Sequence, residues 1–403
     1  MNELQEMKIA IVREVEEHRA DLVRLSDAIH ATPELGFEEF ESAAALIAVL
    51  EENGFTVERD VAGLETAFVA TQSGQPGGPV IAILAEYDAL RGLGHACGHN
   101  IIAAAAVGAV LALKPLMSEV AGTIRAIGTP AEEGGGGKAI MVDAGVFDDV
   151  AAALMIHPSG RNMLGRSALT AYPLGIEFFG KAAHAAATPD KGINALEAML
   201  LTFSGINALR QHVRDDVRIH GIIRHGGDAA NIIPDYTAGE FIVRAADTPY
   251  AAEVVEKVRA CAEGATLATG ARMEFEQTGP RYDARLPNPK MVELFKENLE
   301  ALGLEAELAT GNERMGSSDI GNVSQVVPTI HPYISIGPED LVGHTNEFRE
   351  ASASEAGHEG LIAAAKALAM TTVDLLAEPE NLVEAQEAFA KQKRAMASEQ
   401  ETP

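Results

Sequence analysis

Between Gly94 and Asn100 the chain reads Gly-His-Ala-Cys-Gly-His-Asn. His95, Cys97 and His99 fall two residues apart, and an extended backbone would turn all three side chains to one side. A thiolate beside imidazoles suits a borderline-soft transition metal. The heptapeptide follows a buried-strand pattern, Val80 to Glu86, and precedes an apolar run, Ile101 to Leu113. Ligand sites in open α/β sheets lie at the carboxyl ends of strands, so the segment is predicted to sit at such an edge. A histidine pair satisfied within the core would have the same local spacing.

Similar groups recur at other predicted strand ends. Asp88 follows the same strand in Glu-Tyr-Asp-Ala-Leu, and Glu132 and Glu133 follow Gly122 to Gly128 in Thr-Pro-Ala-Glu-Glu. His157 follows the run Ala151 to Ile156, and His344 lies past the run Thr329 to Ile336. In a parallel sheet all of these rise to one edge and converge with Cys97 and His99. Each alone has an ordinary explanation: a lone histidine is commonly packed and hydrogen-bonded, and a glutamate pair suits the first turn of a helix. One thiolate, three histidines and two adjacent carboxylates at strand ends are together hard to assign to structure alone.

Two other chemistries fail on spacing. Gly134 to Lys138 suggests a phosphate loop, but no Gly-x-x-x-x-Gly-Lys-Ser/Thr pattern is met. Gly92-x-Gly94-x-x-x-Gly98 approximates a dinucleotide fingerprint, yet it sets His95, Cys97 and His99 where a pyrophosphate needs bare backbone.

The formal charge is −28, from 59 acidic against 31 basic residues. Nucleic acid and anionic membranes require a basic footprint, so neither is an expected partner. Two cysteines, Cys97 and Cys261, exclude a disulfide framework and suit a reducing, cytoplasmic compartment. The start is acidic and lacks the basic and apolar regions of a secretory signal. The apolar run after Asn100 ends at Lys114, short of the ~20 residues needed to span a bilayer.

The elements that must hold these residues alternate. Lys8 to Ala31 and Glu38 to Asn53 read as amphipathic helices, followed by strands at Pro79 to Glu86, Gly122 to Gly128 and Ala151 to Ile156. That order predicts an α/β domain with a mainly parallel sheet. From Leu174 the pattern becomes strand (174–180), helix (192–213), strand (217–224), strand (235–245), helix (249–269), strand (272–278). This is the ferredoxin-like order. The chain is therefore predicted to form a discontinuous catalytic domain, 1–173 and 286–403, with a ferredoxin-like α+β insertion at 174–285. The helix Met291 to Leu302 and the strand Thr329 to Ile336 return to the first domain. The tail from Glu380 reads as a charged helix fraying over 398–403.

Glu-Tyr-Asp-Ala-Leu, Gly-His-Ala-Cys-Gly-His-Asn, Pro-Ala-Glu-Glu-Gly, Gly-Lys-Ala-Ala-His-Ala-Ala and Asn-Ile-Ile-Pro-Asp together resemble metallopeptidase family 20, subfamily D. That group holds amidohydrolases such as the auxin-conjugate hydrolases. The nearest branch is that of the p-aminobenzoyl-glutamate hydrolases and aminoacylase-like dipeptidases. The resemblance runs from about Leu25 to Leu376. Asn100 departs from the commoner aspartate at its position and is similar to the aminobenzoyl-glutamate branch.

The resemblance implies two divalent ions per chain, Zn2+ or Mn2+, held by Cys97, His99, Glu133, His157 and His344, with Cys97 bridging. It implies Glu132 as general base, which would take a proton from the attacking water and return it to the leaving amine. Asp88 would orient a ligand histidine. His184, in the insertion, would donate to the developing oxyanion, in its own or a partner's site. Asn231 and Arg244 would contact substrate, Arg244 as a clamp for a carboxylate. The implied activity is hydrolysis of the amide of an N-acyl amino acid or dipeptide-like small molecule by a homodimer formed through the lid domain. A dipeptidase for β-alanyl or similar dipeptides is the alternative enzyme, and a silent metal-binding scaffold the alternative of another class.

Overall fold

The apolar run after Asn100 becomes a helix, His99–Leu113, in which every residue is buried. The structure is a computed structural model that describes residues 2–311, 313 and 315–400. Continued by a 3-10 turn, the helical path His99–Ser118 reaches 20 residues, so by length and hydropathy it could cross a membrane, contrary to the expectation from the run alone. The same holds for Glu355–Ala377, but 83% of each apolar stretch is buried inside the protein. The His99–Leu113 helix contributes Ile101, Val107 and Leu111 to one core with Ile11 and Leu22 of the helix Glu3–Ala31 and Leu361 and Leu368 of Glu355–Ala377. All-round hydrophobicity marks a helix surrounded by protein.

Two units make up the chain: Met1–Ser167 with Arg285–Pro403, and Ala168–Ala284. The first contains a six-stranded sheet in the order Thr56–Arg59, Phe68–Ser73, Ala121–Gly128, Gln75–Ala85, Val150–Leu154, Thr329–Ile330. The last four strands run parallel, whereas the first two pair antiparallel at one edge. The fold is thus mixed α/β with a mostly parallel sheet. Ile81 and Ile83 of the Gln75–Ala85 strand are wholly buried, as helix-covered parallel strands require.

The expected strand Thr329 to Ile336 is two strands. Thr329–Ile330 pairs with Val150–Leu154, and Tyr333–Ser335 pairs with His157–Ser159 in a second, four-stranded sheet. Pro332 separates them: it has no N–H to continue a ladder, and its carbonyl accepts the His157 N–H at 2.9 Å. Both segments change sheet at this point, which sets His157 at the mouth of the parallel sheet. The tail helix, Pro379–Gln400, runs past the expected fraying at 398; residues 401–403 lie outside those described.

The second unit pairs Arg272–Gln277, Thr170–Phe179, Tyr236–Ala245 and Arg218–His225 in that order, all antiparallel. With the helices Ala195–Leu209 and Thr248–Thr269 this is the ferredoxin-like arrangement. Thr237, Gly239, Phe241, Val243 and Ala245 alternate inward, and Phe241 and Val243 share a core with Met199 and Val254. Asn194 and Asp247 cap the two helices by accepting backbone N–H groups. The opening strand starts at Thr170, earlier than the apolar pattern suggests, because its ladder with Tyr236–Ala245 runs on to the Thr170–Ala245 pair. Arg285 belongs to the larger unit, where its guanidinium donates to the carbonyls of Arg166 and Ser167.

Candidate metal centre

His95, Cys97 and His99 do not lie on extended backbone. The segment is a turn that closes at Gly98, whose φ of +77° opens the helix at His99. A Cβ at Gly98 would come within 2.8 Å of Pro158 Cγ, so glycine lets the turn press against the His157–Ser159 strand. The turn sends His95 away from Cys97 and His99: its ring is 1% exposed and lies 6.1 Å from that of His30. Burial pushes its pKa down to about 3, that of a neutral, packed histidine.

The other donors converge. Cys97 Sγ lies 3.3 Å from His157 Nε2, and His344 Nε2 lies 3.5 Å from Glu133 Oε1. Cys97, His99 and His157 form one group whose donor atoms fall within 4.8 Å of one another. Cys97, Glu133 and His344 form a second, and His99, Glu132 and Glu133 a third. Two ligands of one tetrahedral ion stand about 3.4–3.6 Å apart at ordinary Zn–N, Zn–O and Zn–S lengths. The observed pairs, at 3.3 and 3.5 Å, lie within about 0.1 Å of that range. His99 Nε2 and Glu133 Oε1 are buried and lack hydrogen-bond partners, which further fits this donor set to a divalent ion. Cys97 occurs in two of the groups, as a bridging thiolate would.

Ring nitrogens are oriented from behind. His157 Nδ1–H donates to the Pro158 carbonyl at 2.7 Å, which turns Nε2 toward Cys97. His99 Nδ1–H donates to the Asp88 carbonyl at 2.8 Å and to its Oδ1 at 3.0 Å. Asp88 Oδ2 accepts the Glu133 backbone N–H at 2.9 Å, so one carboxylate aligns two donors. Burial opposes a charged Asp88, but the His99 imidazole, the Glu133 N–H and Lys138 outweigh it and lower its pKa. Burial pushes the Cys97 thiol up, so a thiolate here requires a cation beside it. His157 is pushed down to about 4, by burial and then by His99, and presents a neutral nitrogen. Burial, then the charges of Glu86, Glu133 and Asp319, raise the pKa of Glu132 well above the carboxylate range.

A buried cluster adjoining these groups was not foreseen. Lys138 Nζ lies 2.8 Å from Asp319 Oδ1 and 2.6 Å from Glu86 Oε1, the latter an ion pair outside hydrogen-bond alignment. Lys138 is 0% exposed, which rules it out as a solvent-facing phosphate lysine. The only signal was Glu86 closing a strand pattern in a chain with 59 acidic residues. His331, also unforeseen, sets its ring 5.5 Å from that of His157 and contacts Arg285. Asn100 faces away from the donors: its amide donates to Ser26 Oγ and the Ser352 carbonyl.

His184, Asn231 and Arg244 lie in the smaller unit. His184 is exposed, and its Nδ1 accepts the N–H groups of Ala186 and Ala187, each at 3.2 Å. The Asn231 carbonyl accepts the Ala185 N–H at 3.0 Å, which holds the Asn231 segment beside His184. Arg244 lies half-buried on the strand Tyr236–Ala245, and burial lowers its pKa.

A mostly parallel sheet that presents soft and hard donors at its strand ends defines a metal-dependent hydrolase of the α/β class. Residues 82–367 match Peptidase family M20/M25/M40, and the chain belongs to that family. It is 37% identical over 392 residues to the Xaa-Arg dipeptidase of Mus musculus, covering 94% of this chain and 90% of that one. It is 32% identical to one of the p-aminobenzoyl-glutamate hydrolase polypeptides of Escherichia coli K12, covering 95% of each. A dinuclear metal binding peptidase of the M20 family from Bacillus subtilis has the same fold, at a TM-score of 0.69 and 24% identity, covering 90% of this chain and 99% of that one. The chain is a hydrolytic enzyme acting on amide bonds.

Proposed function

We propose that this enzyme cleaves the amide of an N-acyl amino acid or dipeptide-like substrate, of the aminobenzoyl-glutamate type, with two divalent ions, Zn2+ or Mn2+, held by Cys97, His99, Glu133, His157 and His344. The observation that carries this reading is the set of donor pairs close to ligand separation, with Glu132 grouped beside His99 and Glu133. Bound divalent ions supply a lowered water pKa and a polarised scissile carbonyl. Glu132 Oε accepts the proton of the attacking water and delivers it to the departing amine nitrogen. Asp88 keeps Nδ1 of His99 protonated and so leaves Nε2 to ligate.

His184 is the oxyanion donor of this proposal. With Nδ1 accepting from the backbone, its neutral tautomer carries the proton on Nε2, the form that can donate. Asn231 and Arg244 contact the substrate, Arg244 through its carboxylate. The unit 168–284 acts as lid and dimerisation domain of a cytoplasmic homodimer. A dipeptidase specificity is the second reading, favoured by the likeness to a relative named Xaa-Arg dipeptidase.

The test is hydrolysis of a panel of N-acyl amino acids, aminobenzoyl-glutamate and dipeptides, with and without chelator. Chelator-sensitive turnover of one class is expected, with loss of most bound metal in a Cys97→Ala/His157→Ala variant. Unchanged metal content in that variant would sink the ligand assignment.

A further inference from the structure

We propose that Glu86 is a further metal donor of this centre, and that Lys138, itself fixed by Asp319, is the positioning residue that aims Glu86 at the ion ligated by His99. The inference rests on the metal-centre reading above and adds to it a ligand and the device that holds it. Glu86 closes the Gln75–Ala85 strand and is 1% exposed. Its Oε2 lies 3.5 Å from His99 Nε2, the separation of two ligands on one ion. Neither atom has a hydrogen-bond partner, and His99 is 0% exposed. Buried polar atoms are left unpaired rarely, and two that face each other across a ligand-sized gap point to a cation between them.

Asp319 does not share this role, because both its oxygens are engaged. Oδ1 faces Lys138 Nζ at 2.8 Å, and Oδ2 accepts the Lys138 backbone N–H at 2.9 Å. Lys138 is thereby pinned at two atoms, and its Nζ lies 2.6 Å from Oε1 of Glu86 while Oε2 faces His99. Charge leads to the same assignment. Oxygens of Glu86, Glu132 and Asp319 lie within 4.8 Å of one another, and Lys138 pairs with Glu86 and Asp319. Carboxylates outnumber the ammonium in this buried place, an imbalance that a divalent ion at Oε2 offsets. A Glu86 serving only as counter-ion to Lys138 would need Oε1 alone.

The metal-free protein should be titrated with Zn2+ by calorimetry, with bound metal counted and Co2+ absorption recorded in parallel. Glu86→Gln keeps the side chain's volume and is expected to weaken one of the two ions by at least tenfold and to shift the Co2+ bands. The double variant Glu86→Gln/Lys138→Met is expected to stay weak, since removal of both charges does not restore a ligand. Wild-type affinities and bands in Glu86→Gln, or their recovery in the double variant, would make Glu86 a mere counter-ion. A wild-type protein binding no divalent ion would overturn the centre itself, whereas loss confined to the Cys97→Ala/His157→Ala variant would sustain the centre and sink only this inference. A crystal of Zn2+-loaded wild type provides a check independent of any variant's folding: Glu86 Oε2 should lie about 2.0–2.2 Å from an ion. A gap beyond about 3 Å in that crystal overturns the proposal.

Discussion

Glu132 and Glu133 are joined by one peptide bond, yet they face different neighbours. Glu133 groups with Cys97 and His344, whereas Glu132 groups also with Glu86 and Asp319. A single substitution separates their tasks. Glu132→Gln removes the proton acceptor while keeping the side chain's shape. It should lose ~2–4 orders of magnitude in turnover, the usual scale of general acid–base catalysis, with fold and metal content unchanged. Near-normal rates in the metal-loaded variant would move the base elsewhere. At this scale the sequence was most legible where residue types are rare. Cys97 is one of two cysteines, so its spacing to His99 carried information. Carboxylates are abundant, so a place at a strand end was too weak a mark for Glu86, and nothing distinguished Asp319 from the solvated acids around it. Their meeting depends on Lys138, whose burial no local pattern announces. His95 misled for the converse reason: its spacing matched the donors, but a left-handed glycine at 98 turned the chain.

The turn that carries the glutamate pair depends on close backbone approach. Ala131 has φ +58°, its N–H donates to buried Glu39 at 2.8 Å, and its carbonyl accepts the N–H groups of Gly135 and Gly136. A non-glycine residue in that conformation costs about 1–2 kcal/mol, so surrounding contacts must hold it. Gly137 supplies one of them: a Cβ there would lie 2.0 Å from the Pro130 carbonyl oxygen, which is backbone and cannot swing aside. Gly137→Ala should therefore destabilise the protein by about 1–3 kcal/mol, the ordinary cost of overpacking, and displace Glu132 and Glu133. Thermal unfolding together with metal titration checks this; an unchanged Tm and unchanged affinity would show that the turn is tolerant. The glycine run was visible in the sequence, but its spacing could not say that it folds back on Pro130 instead of cradling a phosphate. Elements with strong periodicity were legible to within a few residues, the helix Phe40–Glu52 among them, whereas the first helix begins five residues before the expected Lys8, at Glu3. The break at Pro332 was not, because β-branched residues on both sides give one continuous strand pattern.

At the scale of the whole molecule, alternation of helix and strand made the α/β fold legible, and the change of pattern after residue 170 marked the ferredoxin-like unit. How two such units cooperate is not written in periodicity, since His184 and the metal donors belong to different units. Under the proposed function, His184 supplies an oxyanion donor and Glu132 a base. His184→Ala should then depress turnover more than ground-state binding, with metal content intact. If the proposed homodimer shares its sites across protomers, mixed protomers give a sharper result. Glu132→Gln lacks the base and His184→Ala the donor, so each homodimer is impaired at both sites. A heterodimer with sites shared in this way would contain one site with both groups intact and should recover up to half the wild-type activity per dimer. The check is a mixing experiment in which protomer exchange is demonstrated by mass tags before rates are measured. Exchange without recovery would assign His184 to its own chain's site and leave dimerisation with a structural task alone.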